Sequence, residues 1–373
     1  MKVLIIGGGF GGLSAAYRLA KSGRDLEITL IDKKAVSDFL PVMPDCLGRG
    51  INPEPLSYRI EEAAKSYGFA FINKEVTSLN LDKKEVLVAG EAFNYDYLIV
   101  ACGSETNFYG NENIRQNAYK LDEVEDAKKI IGALKKGGFE NFIIGGGGYT
   151  GIEVATNLRI FLDRSGQEGK ITVIERAPSI LGPLPQWMKD YVGLNLQKLR
   201  VEVLANSAIE KIEGGRVYAA QGKVFERSMV IWAAGVKTPV FIQALAVEKN
   251  PQGRIKVDEF LRLNNNCFVA GDAAYFGYEN AFLRMAVQFA ITQGDCAARN
   301  IVRSIKGSPL IKYKPVDFGY IIPMANNRSC GKVFGMNLKG FLPTMLHFLM
   351  CIYRSSGLKN KTGIINGILK GGA

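Results

Sequence analysis

The hydrophobic and polar residues near the N-terminus follow the order of a βαβ unit. Lys2 to Ile6 is a short apolar run rich in β-branched residues, which is typical of a buried parallel strand. From Leu13 to Lys21 alanine and leucine recur at helical spacing, and Gly23 marks a C-terminal stop. A second apolar run, from Glu27 to Ile31, completes the predicted strand, helix and strand.

A glycine-rich turn joins the first strand to this helix. Gly7, Gly9 and Gly12 fit G-x-G-x-x-G, and Asp32 follows the second strand, twenty residues after Gly12. Glycines let the backbone approach a pyrophosphate, whose charge the exposed N–H groups and the helix dipole stabilise. A carboxylate at position 32 can accept from both hydroxyls of an adenosine ribose. The predicted dinucleotide site comprises Gly7, Gly9, Phe10, Gly11, Gly12, Asp32 and Lys33.

The same pattern recurs about 140 residues later. Asn141 to Ile144 leads into a second glycine turn, a helix is expected from Ile152, and Lys170 to Ile174 forms the next strand. Glu175 ends that strand, where a carboxylate repels the 2′-phosphate of NADPH and so favours NADH, although Arg176 is adjacent. A duplicated structural unit without ligand is the alternative. The predicted NADH site comprises Gly146, Gly148, Tyr149, Thr150, Gly151 and Glu175.

The composition fits a globular chain of two or three domains. Of 373 residues, 47% are hydrophobic and 22% charged, so the chain can bury sizeable cores. Six cysteines lack a C-x-x-C or metal-like spacing and are expected as reduced cytosolic thiols, and the single histidine, His347, predicts no metal site. The N-terminus runs directly into a strand, so no signal peptide is expected.

The positive charge is concentrated near the C-terminus. Seven basic residues and no acidic residue lie between Phe318 and Ala373, against a net charge of +11 for the whole chain. Gly340 to Tyr353 is uncharged and too short to span a bilayer. Basic flanks around such a segment predict an interfacial membrane anchor and disfavour nucleic acid, while a dimer interface or a helix packed on the core are alternatives. The anchor is expected to continue through Leu358, Lys359, Lys361, Ile364, Ile365, Ile368, Leu369 and Lys370.

Three further segments resemble motifs of the two-dinucleotide-binding-domain flavoproteins. They are Tyr95 to Ser104, Val230 to Val236, and Cys267 to Ala274, which contains a G-D motif. The resemblance implies that FAD binds to the first glycine turn and NAD(P)H to the second, with Asp272 hydrogen-bonded to the FAD ribityl chain. It adds Ala101, Gly103, Asp272 and Ala273 to the FAD site and Gly235 to the cofactor-binding residues.

The implied architecture is α/β, with two Rossmann-type domains and a C-terminal membrane-associating segment. The NADH-binding domain, residues 113–244, is inserted in the FAD-binding domain, which comprises residues 1–112 and 245–325. Residues 326–373 form the amphipathic segment.

Within that group, the chain resembles the type II NADH:quinone oxidoreductases. The similarity lies in Tyr95 to Asn107, Gly146 to Glu153 and Ile231 to Val236, and continues in Met285 to Gly294, which is similar to the quinone-site signature A-Q-x-A-x-Q. Gln288 matches the first glutamine, whereas Val287 replaces the first alanine. Thr292 takes the position of the second glutamine, and Gln293 follows it, about 100° away around a helix. The resemblance implies a quinone acceptor and leaves its head-group contacts open, since an Ala/Gln helix beside the flavin needs no quinone.

The family mechanism passes a hydride from nicotinamide C4 to flavin N5 and then two electrons to the quinone, without proton pumping. Quinone also takes up two protons, and Glu153 is the predicted proton-delivery group. It is expected in the first turn of its helix, where the dipole stabilises a carboxylate, and this preference alone also explains its presence. The protein is expected to be peripheral on the cytoplasmic side of the cell membrane, and a homodimer is also consistent with the sequence.

Two other classes of function compete with this interpretation. Sulfide:quinone oxidoreductases and flavin disulfide reductases need a redox-active cysteine pair, for which Cys46 and Cys330 are the candidates, although no cysteine lies between 103 and 266. Buried thiols that pack as small apolar groups are the simpler expectation for all six. The second competing class is a non-catalytic flavoprotein that senses redox state or binds nucleic acid, which the positive net charge suggests.

Overall fold

The computed structural model describes residues 1–23, 25–278, 281–355 and 357–371, without the side chains at 281, 359 and 369–371. The predicted anchor residues Lys359, Leu369 and Lys370 therefore lie outside the described side chains. The chain forms two compact units. The first unit comprises residues 1–37, 58–105 and 236–317, and the second comprises 38–57, 106–235 and 318–373.

The elements follow one another in chain order. The strands are β1 (Lys2–Ile6), β2 (Glu27–Ile31), β3 (Val36–Asp38), β4 (Ser57–Arg59), β5 (Ala70–Ile72), β6 (Val76–Asn80), β7 (Glu85–Val88), β8 (Glu91–Asn94), β9 (Tyr97–Val100), β10 (Glu105–Thr106), β11 (Asn141–Gly145), β12 (Lys170–Ile174), β13 (Val201–Leu204), β14 (Ile209–Glu213), β15 (Arg216–Ala219), β16 (Lys223–Phe225), β17 (Ser228–Trp232), β18 (Val236–Lys237), β19 (Ile255–Lys256), β20 (Cys267–Val269), β21 (Ala274–Tyr275), β22 (Gly277–Tyr278), β23 (Ala281–Phe282), β24 (Gly319–Ile322), β25 (Ser329–Val333) and β26 (Met336–Gly340).

The α-helices are α1 (Phe10–Ala20), α2 (Asp45–Gly48), α3 (Ile60–Tyr67), α4 (Glu112–Asn117), α5 (Val124–Lys136), α6 (Tyr149–Ser165), α7 (Gln186–Lys198), α8 (Val240–Gln243), α9 (Val287–Ile305), α10 (Phe341–Arg354) and α11 (Leu358–Gly371). Short 3-10 helices span Leu40–Val42, Glu54–Leu56, Ala220–Gly222 and Gly271–Ala273.

The first unit is built on a parallel sheet in the order β20-β9-β1-β2-β5. β1 pairs with β2 and β9, and its apolar residues alternate between the two faces of the sheet. Val3 and Ile5 join one core, and Leu4 and Ile6 join the other. Because both faces are covered, the strand is continuously hydrophobic, as the sequence predicted.

The second unit repeats this arrangement with the parallel sheet β13-β12-β11-β17. Phe142 and Ile144 of β11 pack in one core and Ile143 packs in another. An antiparallel sheet, β24-β25-β26, precedes α10 in the same unit. The prediction of two α/β dinucleotide-binding folds is therefore confirmed.

The divisions between the units lie near, but not at, the predicted boundaries. The central segment of the second unit, 106–235, corresponds to the predicted insertion at 113–244. Residues 38–57 and 318–325, which the predicted boundaries assign to the FAD-binding domain, fall in the second unit. No clear strand or helix pattern marks the points where the chain passes from one unit to the other, so the sequence did not predict these boundaries exactly.

Both turn helices begin earlier than predicted. α1 starts at Phe10 rather than Leu13, and α6 starts at Tyr149 rather than Ile152, because the extended residues Gly9 and Gly148 are the N-caps. Glu153 is therefore the fifth residue of α6, and no acidic residue lies in the first turn. The expectation that the helix dipole stabilises the Glu153 carboxylate is wrong, since that effect is confined to the first turn.

Candidate functional site

The first glycine turn leaves no room for a side chain at two of its glycines. Gly7 has φ +104°, and a Cβ there would lie 2.3 Å from the Ala101 carbonyl oxygen. A Cβ at Gly12 would lie 1.8 Å from the Gly7 oxygen. At Gly9, by contrast, a Cβ would meet nothing within 4 Å. The turn packs tightly against backbone at Gly7 and Gly12 and is open at Gly9, beside the N-terminus of α1, where a pyrophosphate can approach the N–H groups of the turn.

Asp32 is fixed against this turn by backbone hydrogen bonds. The Gly8 N–H donates to Oδ2 over 2.6 Å, and the Lys34 N–H donates to Oδ1 over 2.7 Å. Each carboxylate oxygen keeps a further acceptor site, which suits ribose hydroxyls. Lys33 points outward and pairs with Glu75 at 3.7 Å.

The G-D motif lies in the same unit. Ser104 Oγ donates to Asp272 Oδ2 over 2.9 Å, and both Gly103 and Gly271 have positive φ. Desolvation raises the pKa of Asp272, while the hydrogen bond from Ser104 and the charge of Arg254 oppose that rise. The predicted site residues did not include Ser104, although it ends the Tyr95 to Ser104 motif, nor Arg254, which belongs to none of the motifs.

The second glycine turn reproduces the first. Gly146 has φ +107°, and a Cβ at Gly151 would lie 1.9 Å from the Gly146 oxygen. The Gly147 N–H donates to Glu175 Oε2 and the Ala177 N–H donates to Oε1, both over 2.7 Å. Gly148 is open, as Gly9 is. Thr150 is the second residue of α6, after Tyr149, whose ring packs edge-on against Tyr320.

Gly235 lies in the second unit with the other predicted NADH-site residues. It has φ +108°, and a Cβ there would lie 2.5 Å from the Tyr109 hydroxyl. Its carbonyl accepts from the Asn107 N–H over 3.0 Å. The position therefore requires glycine for a close approach between two loops of this unit.

The predicted quinone motif begins helix α9. Gln288 is buried, and its Nε2 donates to Asp317 Oδ1 over 2.9 Å. Arg284 donates to the same oxygen over 2.7 Å. Asp317 thus fixes the amide of Gln288. The sequence did not predict this contact because the two residues are 29 positions apart.

The other two residues of the motif bind protein groups. Thr292 Oγ1 donates to the Gln288 carbonyl and lies 2.8 Å from the Tyr313 hydroxyl. Gln293 is buried, and its Oε1 accepts from the Gly271 N–H over 2.8 Å. Gln293 therefore supports the G-D turn, and both residues remain predictions as quinone contacts.

Helices α1 and α9 cross at glycines. A Cβ at Gly294 would lie 2.0 Å from the Gly11 oxygen. Close by, Ser14 Oγ donates to the Ile291 carbonyl over 2.8 Å. The first unit therefore brings the start of the quinone motif's helix against the glycine turn and the G-D motif.

Glu153 is half-buried and lies near the buried carboxyl of Asp45 in the second unit. α2 packs on α6 so closely that a Cβ at Gly48 would lie 2.1 Å from the Asn157 carbonyl oxygen. On α2, Asp45 accepts from Arg49 Nε over 2.9 Å. Desolvation, and then the negative charge of Asp45, raise the pKa of Glu153 well above its ordinary value. The Glu153 carboxyl therefore retains a proton where an exposed glutamate would lose it.

The six cysteines, all within the described part of the chain, are free thiols. Desolvation raises the pKa of Cys46 and raises that of Cys330 to about 12. A thiol in that condition is a poor source of the thiolate that disulfide and sulfide chemistry requires. Among the described residues there is also no group of three or more His, Cys, Asp or Glu that could hold a metal.

Helix α10, the second to last of the chain, has a buried face and an exposed apolar face. Pro343, Thr344, Phe348 and Cys351 are buried. Phe341, Met345, Leu349 and Tyr353, four residues apart, are 63%, 41%, 54% and 78% exposed. Within the described residues, no helix is long and apolar enough to cross a membrane.

The exposed apolar surface continues into the preceding hairpin. Phe334 and Met336 are 69% and 60% exposed. Lys332 and Lys339 lie on the paired strands β25 and β26, and Lys339 Nζ lies 5.1 Å from the centre of the Trp187 ring. We call the residues Phe334, Met336, Phe341, Met345, Leu349 and Tyr353 the apolar C-terminal face.

The chain is similar to known proteins in sequence and in fold. The sequence pattern of the pyridine nucleotide-disulphide oxidoreductases matches residues 1–294. The type II NADH:quinone oxidoreductase of Staphylococcus aureus is 27% identical over 368 residues, 91% of each chain. The structure of NDH2 from Plasmodium falciparum in complex with NADH superposes with a TM-score of 0.86 at 18% identity, over 99% of this chain and 97% of that one. The sulfide:quinone oxidoreductase of Aquifex aeolicus gives 0.81 at 21% identity, over 97% and 92%, and at these identities both structures establish the fold alone.

Proposed function

The chain belongs to the pyridine nucleotide-disulphide oxidoreductase family, and from that premise we propose that it passes two electrons from NADH through FAD to a membrane quinone without pumping protons. The resemblance to type II NADH:quinone oxidoreductases is confirmed by its relatives, and the chain is an oxidoreductase that works with FAD and NADH. The proposal concerns the path of the electrons, the residues and the membrane.

The duplicated turn carries this proposal. Each unit has a glycine turn whose second N–H donates to the acidic residue after the second strand, Gly8 to Asp32 and Gly147 to Glu175. Each turn leaves open space at its third glycine. Two such sites suit two dinucleotides, which a hydride transfer between cofactors requires.

The residues of the first unit fit FAD. The open space at Gly9 and the uncapped N-terminus of α1 suit the pyrophosphate, and Asp32 suits the adenosine ribose. Asp272, which accepts a hydrogen bond from Ser104, would also accept hydrogen bonds from hydroxyls of the ribityl chain. When bound, FAD accepts a hydride equivalent from NADH and releases two electrons to an acceptor.

The residues of the second unit fit NADH. Both oxygens of Glu175 accept from backbone N–H groups, so its charge is fixed beside the turn. A fixed carboxylate accepts from ribose hydroxyls and repels a 2′-phosphate. We therefore assign NADH rather than NADPH as the reductant.

The quinone is assigned to the start of α9. Gln288 carries a buried amide whose Nε2 donates to Asp317, so this polar side chain is held in place at the start of the helix. The crossing of α9 with α1 places this segment beside the glycine turn that suits FAD. Thr292 and Gln293 support the segment through Tyr313 and Gly271.

Glu153 is proposed to hold a proton for the reduced quinone. Burial and the charge of Asp45 keep its carboxyl protonated at higher pH than usual. A carboxyl that retains its proton can deliver it as the quinone accepts electrons.

The apolar C-terminal face is proposed to rest on a membrane. Its exposed Phe, Met, Leu and Tyr side chains can enter the boundary between head groups and acyl chains, while Lys332 and Lys339 suit anionic head groups. Attachment on the cytoplasmic side gives access to both NADH and a lipid-soluble quinone. A homodimer through the same face is the competing proposal, and sizing in detergent and in lipid nanodiscs distinguishes the two.

Steady-state assays of the purified protein test the proposal. We expect one FAD per chain on extraction, oxidation of NADH that depends on added ubiquinone-1 or menadione, and a preference for NADH over NADPH. Extraction of no flavin, or NADH oxidation that no quinone stimulates, would contradict it.

A further inference from the structure

Arg254 is a buried cation outside every motif used so far. It precedes β19 in the first unit and is 5% exposed. Its guanidinium donates from Nε to the Asp272 carbonyl over 3.0 Å, from Nη2 to that of Ala274 over 2.6 Å and from Nη1 to that of Leu283 over 3.1 Å. These described hydrogen-bond partners are carbonyl oxygens, and the carboxylate of Asp272 interacts with the guanidinium through its charge.

These bonds fix the peptide planes of the G-D turn. In a trans peptide the carbonyl and the following N–H point in opposite directions. With the Asp272 carbonyl turned toward Arg254, the Ala273 N–H faces the opposite side of the backbone. Ala273 is among the predicted FAD contacts, so Arg254 determines the direction in which this donor points.

Arg254 also connects the turn to the quinone motif. Leu283 lies three residues before Ala286, the N-cap of α9, and directly before Arg284, which binds Asp317. The charge of Arg254 further favours the ionised form of Asp272, which burial disfavours. Arg254 thus binds the G-D turn, favours the ionised form of Asp272 and binds the segment that leads into α9.

We propose that Arg254 is a positioning residue of the flavin site, which aims the Ala273 N–H and the Asp272 carboxylate at the cofactor and ties them to the start of α9. The inference rests on the proposed function, because it assumes that the first unit holds FAD. Without Arg254, the turn loses two donated hydrogen bonds and its cation, and Leu283 loses a third bond, so Ala273 and Asp272 are no longer held for the cofactor.

Arg254→Lys and Arg254→Met in the holoenzyme test this inference, with Arg262→Lys and Arg262→Met as matched controls. Arg262 lies in the same unit, is 31% exposed and pairs with Asp258 at 2.8 Å. We would measure the FAD dissociation constant from the fluorescence of flavin released on dilution, the visible spectrum of bound flavin, and the KM for NADH.

We expect Arg254→Met to raise the FAD dissociation constant by roughly tenfold to hundredfold, the effect of losing an aligned charge-assisted hydrogen bond. Arg254→Lys keeps the charge but not the fork, so it should restore part of the affinity and shift the flavin spectrum. The KM for NADH should stay at the wild-type value, which a general loss of structure would not preserve.

The outcomes separate the two levels of the argument. A wild-type protein without FAD, or whose flavin NADH does not reduce, contradicts the proposed function. A normal wild type, with Arg254 variants that match the Arg262 variants in FAD affinity and spectrum, overturns the inference alone. If Arg254→Met yields no folded protein, Arg254→Lys decides, and a wild-type spectrum and dissociation constant there overturn the inference.

Discussion

Gly9→Ala and Gly148→Ala form a matched pair that distinguishes the two nucleotide sites. Both glycines are N-caps with ordinary extended dihedrals, φ −81° and −77°, and a Cβ at either would meet nothing within 4 Å. Alanine restricts the unfolded chain, which stabilises the fold by about 0.4–1 kcal/mol. Alanine is also a poorer N-cap than glycine, at a cost of about 0.5–1 kcal/mol. The two effects nearly cancel, so the free energy of unfolding should change by less than about 0.5 kcal/mol.

The effect on binding should be much larger. The added methyl group occupies the space through which a pyrophosphate reaches the N–H groups of the turn. Loss of one charge-assisted hydrogen bond, about 1.5–3 kcal/mol, weakens binding roughly tenfold to hundredfold. Gly9→Ala should therefore lose FAD, whereas Gly148→Ala should keep its flavin and show a raised KM for NADH.

The assay combines three measurements on each variant. The ratio of flavin to protein absorbance reports FAD, the NADH dependence of flavin bleaching reports the second site, and calorimetry reports stability. Loss of FAD in Gly148→Ala with normal affinity for NADH would reverse the assignment of the two turns. A large fall in the melting temperature of both variants would refute the claim that these positions are open.

Four further changes test other parts of the account. Glu153→Gln should slow quinone reduction roughly a hundredfold and flatten its pH profile, because wild-type activity should fall as the pH rises through the raised pKa of Glu153; an unchanged profile removes Glu153 from the mechanism. Burial raises the pKa of Asp45 from 3.8 to about 6, so the folded chain holds this proton more tightly than the unfolded chain, and the free energy of unfolding should fall as the pH rises between those values. Asp45→Asn should make that slope shallower in melts from pH 4 to 7, and an unchanged slope argues against the burial of Asp45. Asp317→Asn should raise the KM for quinone roughly tenfold by weakening the hold on Gln288, with normal bleaching by NADH. Leu349→Glu should weaken sedimentation with anionic vesicles at least about tenfold, whereas Leu194→Glu, an equally exposed leucine on α7, should not; equal effects would refute the membrane face.

The nucleotide turns were predictable because their chemistry is local. Each turn, its helix and the acidic residue after the next strand lie within about thirty residues, and the hydrogen bonds from Gly8 to Asp32 and from Gly147 to Glu175 follow that spacing. The helix starts were misplaced by three residues because the turn glycines themselves are N-caps. An N-cap is usually recognised in a sequence by a side chain that can accept a hydrogen bond, and glycine has no such side chain.

The supporting contacts were not predictable because they join distant segments. Arg254 meets Leu283, Gln288 meets Asp317, and neither pair follows a helical or strand period. The environment of Glu153 depends on α2. In the sequence, that segment was considered only because it contains Cys46. Burial, which determines its protonation, is a property of the packed fold and of no motif.

The path of the electrons is tested most directly by anaerobic stopped-flow spectroscopy of the purified protein. The account predicts that NADH bleaches the flavin absorbance near 450 nm, that a quinone analogue then restores it, and that both steps are fast enough to sustain turnover. Bleaching by sulfide but not by NADH, or reduced flavin that no quinone reoxidises, would contradict the account.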